Sequence, residues 1–113
     1  MWPFKQKIKK MKIWRVQNDM GECPYNLIDE ILCDGFLYKH NIDKEFHPNP
    51  MNDKGIQRNI EPNEICGFIN RKQMCKWFTL EELQKLRKAG YYPKRVEVKK
   101  ITAIGEYQVL AEV

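Results

Sequence analysis

Residues 67–113 have the sequence GFINRKQMCKWFTLEELQKLRKAGYYPKRVEVKKITAIGEYQVLAEV, and the order of local signals in this stretch decides the fold. Asn70 is placed to cap a first helix, because a short polar side chain accepts a hydrogen bond from the free amides of the first turn. Thr79 and Glu82 have the spacing of a reciprocal capping box, which predicts the start of a second helix. Gly90 supplies the left-handed conformation that ends this helix.

The second helix and the segments after it show regular apolar spacing. Leucines recur at intervals of three residues and predict one inner helix face, made of Leu80, Leu83 and Leu86. Apolar and polar residues alternate over 95–104 and again over 106–113, which is typical of half-buried strands. Gly105 lies between these segments, so we predict a β-hairpin.

The N-terminal half supplies one more strand and a short helix. Residues 12–17 alternate and predict a first strand, with Trp14 and Val16 toward a core, or Ile13 and Arg15 on the other side. Asn26 is placed to cap a short helix that Gly35 ends.

Residues 41–64 have no regular period and carry several helix and strand breakers among polar residues: Pro48, Pro50, Gly55 and Pro62. A loop of this length is uncommon in a compact domain unless it has a function or is disordered. The predicted fold is therefore α+β: a small antiparallel-rich sheet, in which the first strand joins the hairpin, with two to three short helices and a long Pro-rich loop.

The chain has 113 residues, which is enough for one domain. Five of its 20 basic residues lie within the first twelve positions with no acid among them: Lys5, Lys7, Lys9, Lys10 and Lys12. The other 20 − 5 = 15 basic residues balance the 15 acidic residues, so the net charge of +5 comes from the first twelve residues. We therefore predict a basic N-terminal extension at residues 1–10 and a single domain at residues 11–113. The extension is either a solvated terminus or a contact for nucleic acid or an anionic membrane surface.

Apolar runs in the chain are too short for a signal peptide or a membrane span, which predicts a cytoplasmic protein with reduced thiols. The cysteines are Cys23, Cys33, Cys66 and Cys75. Their spacing does not fit a zinc site, even with His40 and His47 added, so we expect no metal. Cys33 and Cys75 fall on apolar helix positions, which predicts small buried thiols.

The chain contains no phosphate-binding glycine loop, serine nucleophile motif or paired-histidine metal motif, which favours a binding protein over an enzyme. Arg15, in the first strand, either points to solvent or holds an anion with its guanidinium fork. His47 and Asp53 lie in the stiffened loop, either as a ligand-binding or proton-transfer pair or as a surface turn. Glu106 and Gln108 are predicted to share one face of the last strand.

Short motifs over most of the chain from residue 11 onward resemble a class of small phage and prophage proteins. They are Trp14-Arg15-Val16, Gly21-x-x-Pro24-Tyr25, His47-Pro48-x-Pro50-x-x-Asp53, Gly67-Phe68, Gln73, Trp77-Phe78, Leu83, Leu86, Gly90 and Gly105-x-x-Gln108-Val109. Cys23 stands where a glycine is expected. With the resemblance, we interpret the chain as a small binding protein of the host-cell cytoplasm that needs no cofactor. It would engage a host protein or a nucleotide-like ligand through Arg15, Tyr25, His47, Asp53 and Gln108.

The order of these motifs along the chain also resembles, more distantly, the order of the functional segments in ADP-ribosyltransferases. That resemblance implies that Arg15 on the first strand holds NAD, and it places Gln108 where the catalytic glutamate is expected. A glutamine cannot supply the carboxylate charge, whereas Glu106 lies two residues away. The first alternative is thus a divergent ADP-ribosyltransferase that acts on NAD through Arg15 and Glu106. The second is a nucleic-acid-binding protein that uses the basic extension together with the helical lysines Lys72, Lys76, Lys85 and Lys88.

Overall fold

The computed structural model describes residues 11–26, 39–40 and 42–113. Its strands and helices are, in order, β1 (Met11–Gln17), β2 (Glu64–Gly67), α1 (Arg71–Trp77), α2 (Leu80–Lys88), β3 (Tyr92–Val98), β4 (Lys100–Ile104) and β5 (Val109–Glu112). Single 3-10 turns are present at Pro24–Asn26 and Pro50–Asn52. The α+β class is confirmed. The predicted helix that follows Asn26 and the basic extension lie outside the described residues.

Both predicted helix starts are confirmed at the level of single hydrogen bonds. The Asn70 side chain accepts a bond of 2.8 Å from the amide of Gln73, which caps α1. At α2, the Thr79 hydroxyl accepts from the amide of Glu82 at 3.1 Å, and the Glu82 carboxylate accepts from the amide of Thr79 at 2.9 Å. Gly90 follows α2 with a φ of +91°, the left-handed conformation predicted for the helix end.

Two side chains of these helices do not occupy the predicted inner face. Leu80 is 73% exposed, whereas Leu86 is fully buried. Residues three apart advance by about 300° around an α-helix, so Leu80 and Leu86 differ by roughly 120° in direction. Cys75 is likewise exposed, because the short helix α1 turns its neighbour Met74 into the core. No helix within the described ranges is long and apolar enough to cross a membrane.

The predicted hairpin is correct in its second half and wrong in its first. Residues 95–104 do not form one strand, because the chain changes sheets at Lys99: β3 pairs antiparallel with β1, whereas β4 pairs antiparallel with β5. The amide of Lys99 donates to the carbonyl of Glu112 at 2.8 Å, and the β4–β5 register shifts between Ile101 and Ala103. Alternation of side chains continues across such a break, so it does not reveal the change of partner.

Strand β2 was not predicted, because its residues directly follow the Pro-rich loop. It pairs antiparallel with β5, which gives the strand order β2-β5-β4 in one sheet beside the β1-β3 pair. The two sheets meet at an isolated bridge in which Trp14 and Phe68 exchange backbone hydrogen bonds of 2.8 and 2.7 Å. The first strand therefore pairs with β3, the first half of the predicted hairpin, but the strands form two sheets and not the single sheet predicted.

Strand β1 is covered on both faces, so each side named in the sequence analysis contributes to the core. Val16 packs with the residues around the helices, which include Phe68, Phe78 and Leu86. Ile13, on the opposite face, packs in a second cluster with Val98, Val109 and Ala111. This arrangement places Arg15, between these two residues, next to β2.

Candidate functional site

Two neighbouring cavities lie between β1, β2, α1 and the Pro-rich loop. The larger, here called the histidine cavity, has a volume of about 320 Å³ and is lined by Tyr25, His40, Lys44, His47, Pro48, Asn49, Pro50, Cys66, Trp77 and Gln108. The smaller, here called the inner cavity, has a volume of about 60 Å³ and is lined by Arg15, Val16, Cys23, Pro24, Tyr25, Cys66, Gly67, Phe68, Trp77, Phe78 and Gln108. They share Tyr25, Cys66, Trp77 and Gln108, so the two cavities adjoin. Four residues of the predicted site, Arg15, Tyr25, His47 and Gln108, are thereby brought to one region.

Gln108 is 5% exposed and lines both cavities. Its side-chain amide donates a hydrogen bond of 2.7 Å to the carbonyl of Pro48, and its backbone carbonyl accepts from Gly105 at 2.8 Å. Its carboxamide oxygen accepts no bond from a described residue. Since no polar side-chain atom in the described ranges is both fully enclosed and unpaired, this oxygen must be accessible from the cavity.

Arg15 reaches the inner cavity from β1 and is held by neutral groups. Its Nε donates to the carbonyl of Cys66 at 2.8 Å, and its Nη1 donates to Gln17 Oε1 at 3.0 Å and to the carbonyl of Gly21 at 3.3 Å. No carboxylate in the described part of the chain pairs with this guanidinium. Gly67 makes the approach possible, since a Cβ there would lie 3.0 Å from Arg15 Cγ. The positive charge of Arg15 is therefore available to an anion.

A chain of hydrogen bonds crosses the wall shared by the cavities. Trp77 Nε1 donates to the Tyr25 hydroxyl at 2.6 Å, and the hydroxyl lies 2.7 Å from His40 Nδ1. Because the Glu82 carboxylate accepts from His40 Nε2, Nδ1 of the neutral ring is an acceptor, and the Tyr25 hydroxyl donates to it. His40 then donates from Nε2 to the Glu82 carboxylate, 3.0 Å away. Burial raises the pKa of Tyr25, which keeps this donor protonated.

His40 is a site residue that sequence reasoning did not select. It is 5% exposed and stacks on His47, with ring centroids 3.7 Å apart and planes at 20°. Burial, and then the neighbouring His47, lower the pKa of His40, which favours the neutral ring despite the nearby Glu82 carboxylate. The two histidines lie seven positions apart in a segment whose sequence shows no apolar period, so no periodic signal connects them.

His47 has a different acidic partner from the predicted one. Its Nδ1 lies 3.0 Å from Asp43 Oδ2, and its Nε2 donates to the carbonyl of Trp77 at 2.7 Å. The hydrogen bond from His47 lowers the pKa of the Asp43 carboxyl. The predicted His47–Asp53 pair is therefore replaced by a His47–Asp43 pair, in which the histidine closes the Pro-rich loop onto the end of α1.

Asp53 lines neither cavity and instead holds the turn before β5. It is fully buried, and its carboxylate accepts from the amides of Glu106 and Tyr107 at 2.6 and 3.2 Å. Any side chain at Gly105 would collide with this carboxylate. Asp53 thus positions the segment that carries Gln108.

Glu106 and Gln108 do not share a strand face as predicted, because β5 begins only at Val109. Both residues lie in the turn before the strand, where strand alternation does not apply. Glu106 is exposed and lines neither cavity. The arginine and the carboxylate of the transferase alternative are consequently not brought to one cavity.

Cys66, which lines both cavities, is a neutral thiol. Burial raises the pKa of Cys66, and its carbonyl holds Arg15. Cys23, which also lines the inner cavity, and Cys75 are free thiols as well. Within the described ranges no group of three or more His, Cys, Asp or Glu side chains is arranged to hold a metal ion.

Comparison with known proteins identifies the family of the chain. No curated protein and no solved structure matches the chain, so the similarity to ADP-ribosyltransferases is not shown. The model of the bacteriophage T4 Y00F protein family matches residues 11–112, which include every strand and helix of the fold and both cavities. The predicted phage origin agrees with this match, and the chain belongs to the bacteriophage T4 Y00F protein family.

Proposed function

We propose that this phage protein binds a nucleotide-like small molecule, meaning a flat polar ring joined to an anionic group, in the histidine cavity and the inner cavity together. The observation that carries the proposal is Gln108, which is buried yet presents an unused acceptor to the cavities. A polar ligand that donates to this accessible oxygen would gain a hydrogen bond with a net contribution of about 0.5–1.5 kcal/mol. As a phage protein, it would meet such ligands in the cytoplasm of the host cell.

The histidine cavity suits the ring of such a ligand. Its volume of about 320 Å³ lies at the lower end of the range of roughly 300–1,000 Å³ that is usual for small-molecule sites. Its walls include the His40–His47 stack and the Trp77 side chain, and flat rings of this kind pack on the face or edge of a base. Gln108 and Asn49 supply the amide groups that pair with the polar edge of a base.

The cations of the site suit the anionic group. Arg15 has no acidic partner in the described ranges, and Lys44 lines the histidine cavity on its exposed side. A guanidinium binds carboxylates and phosphates by charge-assisted hydrogen bonds, which contribute about 1.5–3 kcal/mol each. The free Nη2 of Arg15 is the donor left for this contact.

Binding is favoured over ADP-ribosyl transfer by the acids around the site. No Asp or Glu among the described residues lines either cavity, and the carboxylates of Asp43 and Glu82, which contact the lining histidines, are bonded to His47 and His40. Transfer from NAD requires a carboxylate beside the developing positive charge of the ribose. The nucleic-acid alternative would use the basic extension, and it predicts binding that weakens steeply with salt.

The proposal is tested by calorimetric titration with AMP, GMP, CMP, UMP and NAD. Gln108→Met keeps the side-chain volume and removes the amide, and we expect it to weaken binding of the preferred nucleotide about tenfold, which corresponds to about 1.4 kcal/mol. Arg15→Lys keeps the charge and removes the planar fork, and we expect a similar loss. Gln84→Met and Lys72→Gln, two exposed changes on the helices, serve as matched controls and should bind as the unchanged protein does.

Two outcomes would overturn the proposal. The first is that none of the five compounds binds more tightly than about 1 mM, or that Gln108→Met and Arg15→Lys bind as well as the controls. The second is release of nicotinamide from NAD that disappears in Glu106→Gln, which would establish the enzyme instead. Chemical denaturation of each variant separates loss of binding from loss of folding.

A further inference from the structure

A second recess, here called the tryptophan groove, lies on the helices away from the two cavities. It has a volume of about 510 Å³ and lies between α1, α2, β1 and the start of β3. Its apolar lining consists of Trp14, Met74, Leu80, Leu83 and Pro93. None of its lining residues lines the histidine cavity or the inner cavity, so the groove is a separate feature.

The charges around the tryptophan groove are positive. Arg71 and Arg87 line it, and the guanidinium carbons of Arg71 and Arg95 lie 5.8 and 6.0 Å from the centre of the Trp14 ring. Arg87 lies similarly 5.8 Å from the ring of Tyr92. No Asp or Glu of the described ranges lines the groove, and none of these three arginines pairs with a described carboxylate.

Two acids in the first turn of α2, the helix that forms one side of the groove, already have partners. Glu81, in the first turn of α2, pairs with Lys85 at 3.4 Å. Glu82, in the same turn, holds the amide of Thr79 and the ring of His40. Among the described residues, the groove therefore has positive charge around an apolar floor, and charge complementarity favours an acidic occupant.

The mouth of the groove is apolar as well as cationic. Leu80 is 73% exposed at the first position of α2 and lines the groove. An exposed leucine beside an apolar recess adds apolar surface that a partner's side chain would remove from water. The ring of Trp14 is overlain by two guanidinium groups, so it offers less open face to a stacking base. These features favour a peptide over a nucleic acid.

We propose that the tryptophan groove docks an acidic amphipathic segment of a partner protein. One or two large apolar side chains of the segment would insert between Leu80, Met74 and Leu83, and its Asp or Glu residues would pair with Arg71 and Arg87. A helix with apolar residues on one face and acids beside them satisfies both requirements.

Fluorescence anisotropy with a labelled probe peptide tests this proposal. The probe is a 16-residue helical peptide with Leu at positions i, i+3, i+4 and i+7 and Glu at the flanking positions. Arg71→Gln, Arg87→Gln and Leu80→Ser are expected each to weaken its binding about fivefold or more. Lys72→Gln and Lys76→Gln each remove one positive charge from α1, the helix that carries Arg71, outside the groove, and they should bind within about twofold of the unchanged protein.

The remaining arms of the experiment decide between occupants. A peptide with Lys in place of Glu should not bind, and a single-stranded dT12 oligonucleotide should not displace the acidic probe. Absence of binding at about 1 mM probe overturns the proposal, as does equal weakening by the arginine variants and the lysine controls. Displacement by dT12 assigns the groove to nucleic acid instead. Gln108→Met should leave the probe affinity unchanged, which keeps this result independent of the nucleotide site.

Discussion

Replacement of Glu64 by Gln tests whether one buried ion pair ties the Pro-rich loop to the sheet. Glu64 is 8% exposed at the start of β2. Its two oxygens accept from both Nη atoms of Arg58 in the loop, at 2.7 and 2.8 Å, and also from the amide of Glu61 at 2.9 Å. The hydroxyl of Thr102 on β4 donates to the same carboxylate. Glu64 therefore joins the loop and two strands.

The magnitude follows from these contacts. The paired guanidinium of Arg58, and then the hydroxyl of Thr102, lower the pKa of Glu64 from 4.5 to about 2. A difference of about 2.5 pKa units corresponds to at most about 3.4 kcal/mol. Arg58 is 37% exposed and regains water when its partner is neutral, so the expected loss for Glu64→Gln at pH 7 is about 2 kcal/mol.

The dependence on pH has a definite sign. Above pH 4.5 Glu64 is charged in the folded and unfolded chains, and the full stabilisation is present. As the pH falls from 4.5 to about 2, the unfolded chain takes up a proton before the folded chain does, so this stabilisation is lost. Glu64→Gln should lack that part of the pH dependence.

The assay is urea denaturation at several pH values between 2 and 7, with Glu61→Gln as the control because that side chain is exposed. We expect Glu61→Gln to change the free energy of unfolding by less than about 0.5 kcal/mol. The reasoning is refuted if Glu64→Gln is as stable as this control at pH 7, or if it loses stability with acid as steeply as the unchanged protein.

Three further changes test other contacts. Asp53→Asn puts an amide opposite two backbone donors and should lower the free energy of unfolding, measured with urea, by roughly 2–4 kcal/mol. The control Asp19→Asn, at an exposed position, should leave it almost unchanged. NMR should also show a shifted side-chain amide for Gln108 in Asp53→Asn. Thr79→Ala removes half of the capping box and should cost about 1 kcal/mol, and an unchanged denaturation midpoint would contradict the role of the cap. Gly67→Ala places a Cβ 2.6 Å from the carbonyl of Trp14 and should cost about 1–3 kcal/mol; a folded variant of full stability would show that the strands can separate there.

The parts of the fold that sequence predicts well are encoded within a few residues. The caps at Asn70 and Thr79 each use a side chain and an amide three positions later, so the pattern and the contact coincide. The conformation of Gly90 is similarly a property of one residue. These elements could be predicted from the sequence because their hydrogen bonds and backbone conformation depend on neighbouring residues and not on distant partners.

The parts that were missed depend on distant partners. The chain changes sheets at Lys99 because the residues before it pair with β1 and the residues after it pair with β5. Strand β2 likewise forms only through its pairing with β5. In the site, four of the five predicted residues line the cavities, but Asp53 instead binds a turn more than fifty positions away. His40 joins the site through contacts with Glu82, 42 positions later, that spacing does not encode.

The opening turn of α2 touches both proposed surfaces. Leu80 borders the tryptophan groove, and Glu82, two positions later, holds the ring of His40 in the histidine cavity. A ligand on one side that shifts this turn therefore alters the affinity on the other, and thermodynamic linkage makes the factor identical in both directions. A nucleotide titration repeated with saturating peptide would measure that factor. A value of one would mean that the two sites bind their ligands independently, although both contact the same helical turn.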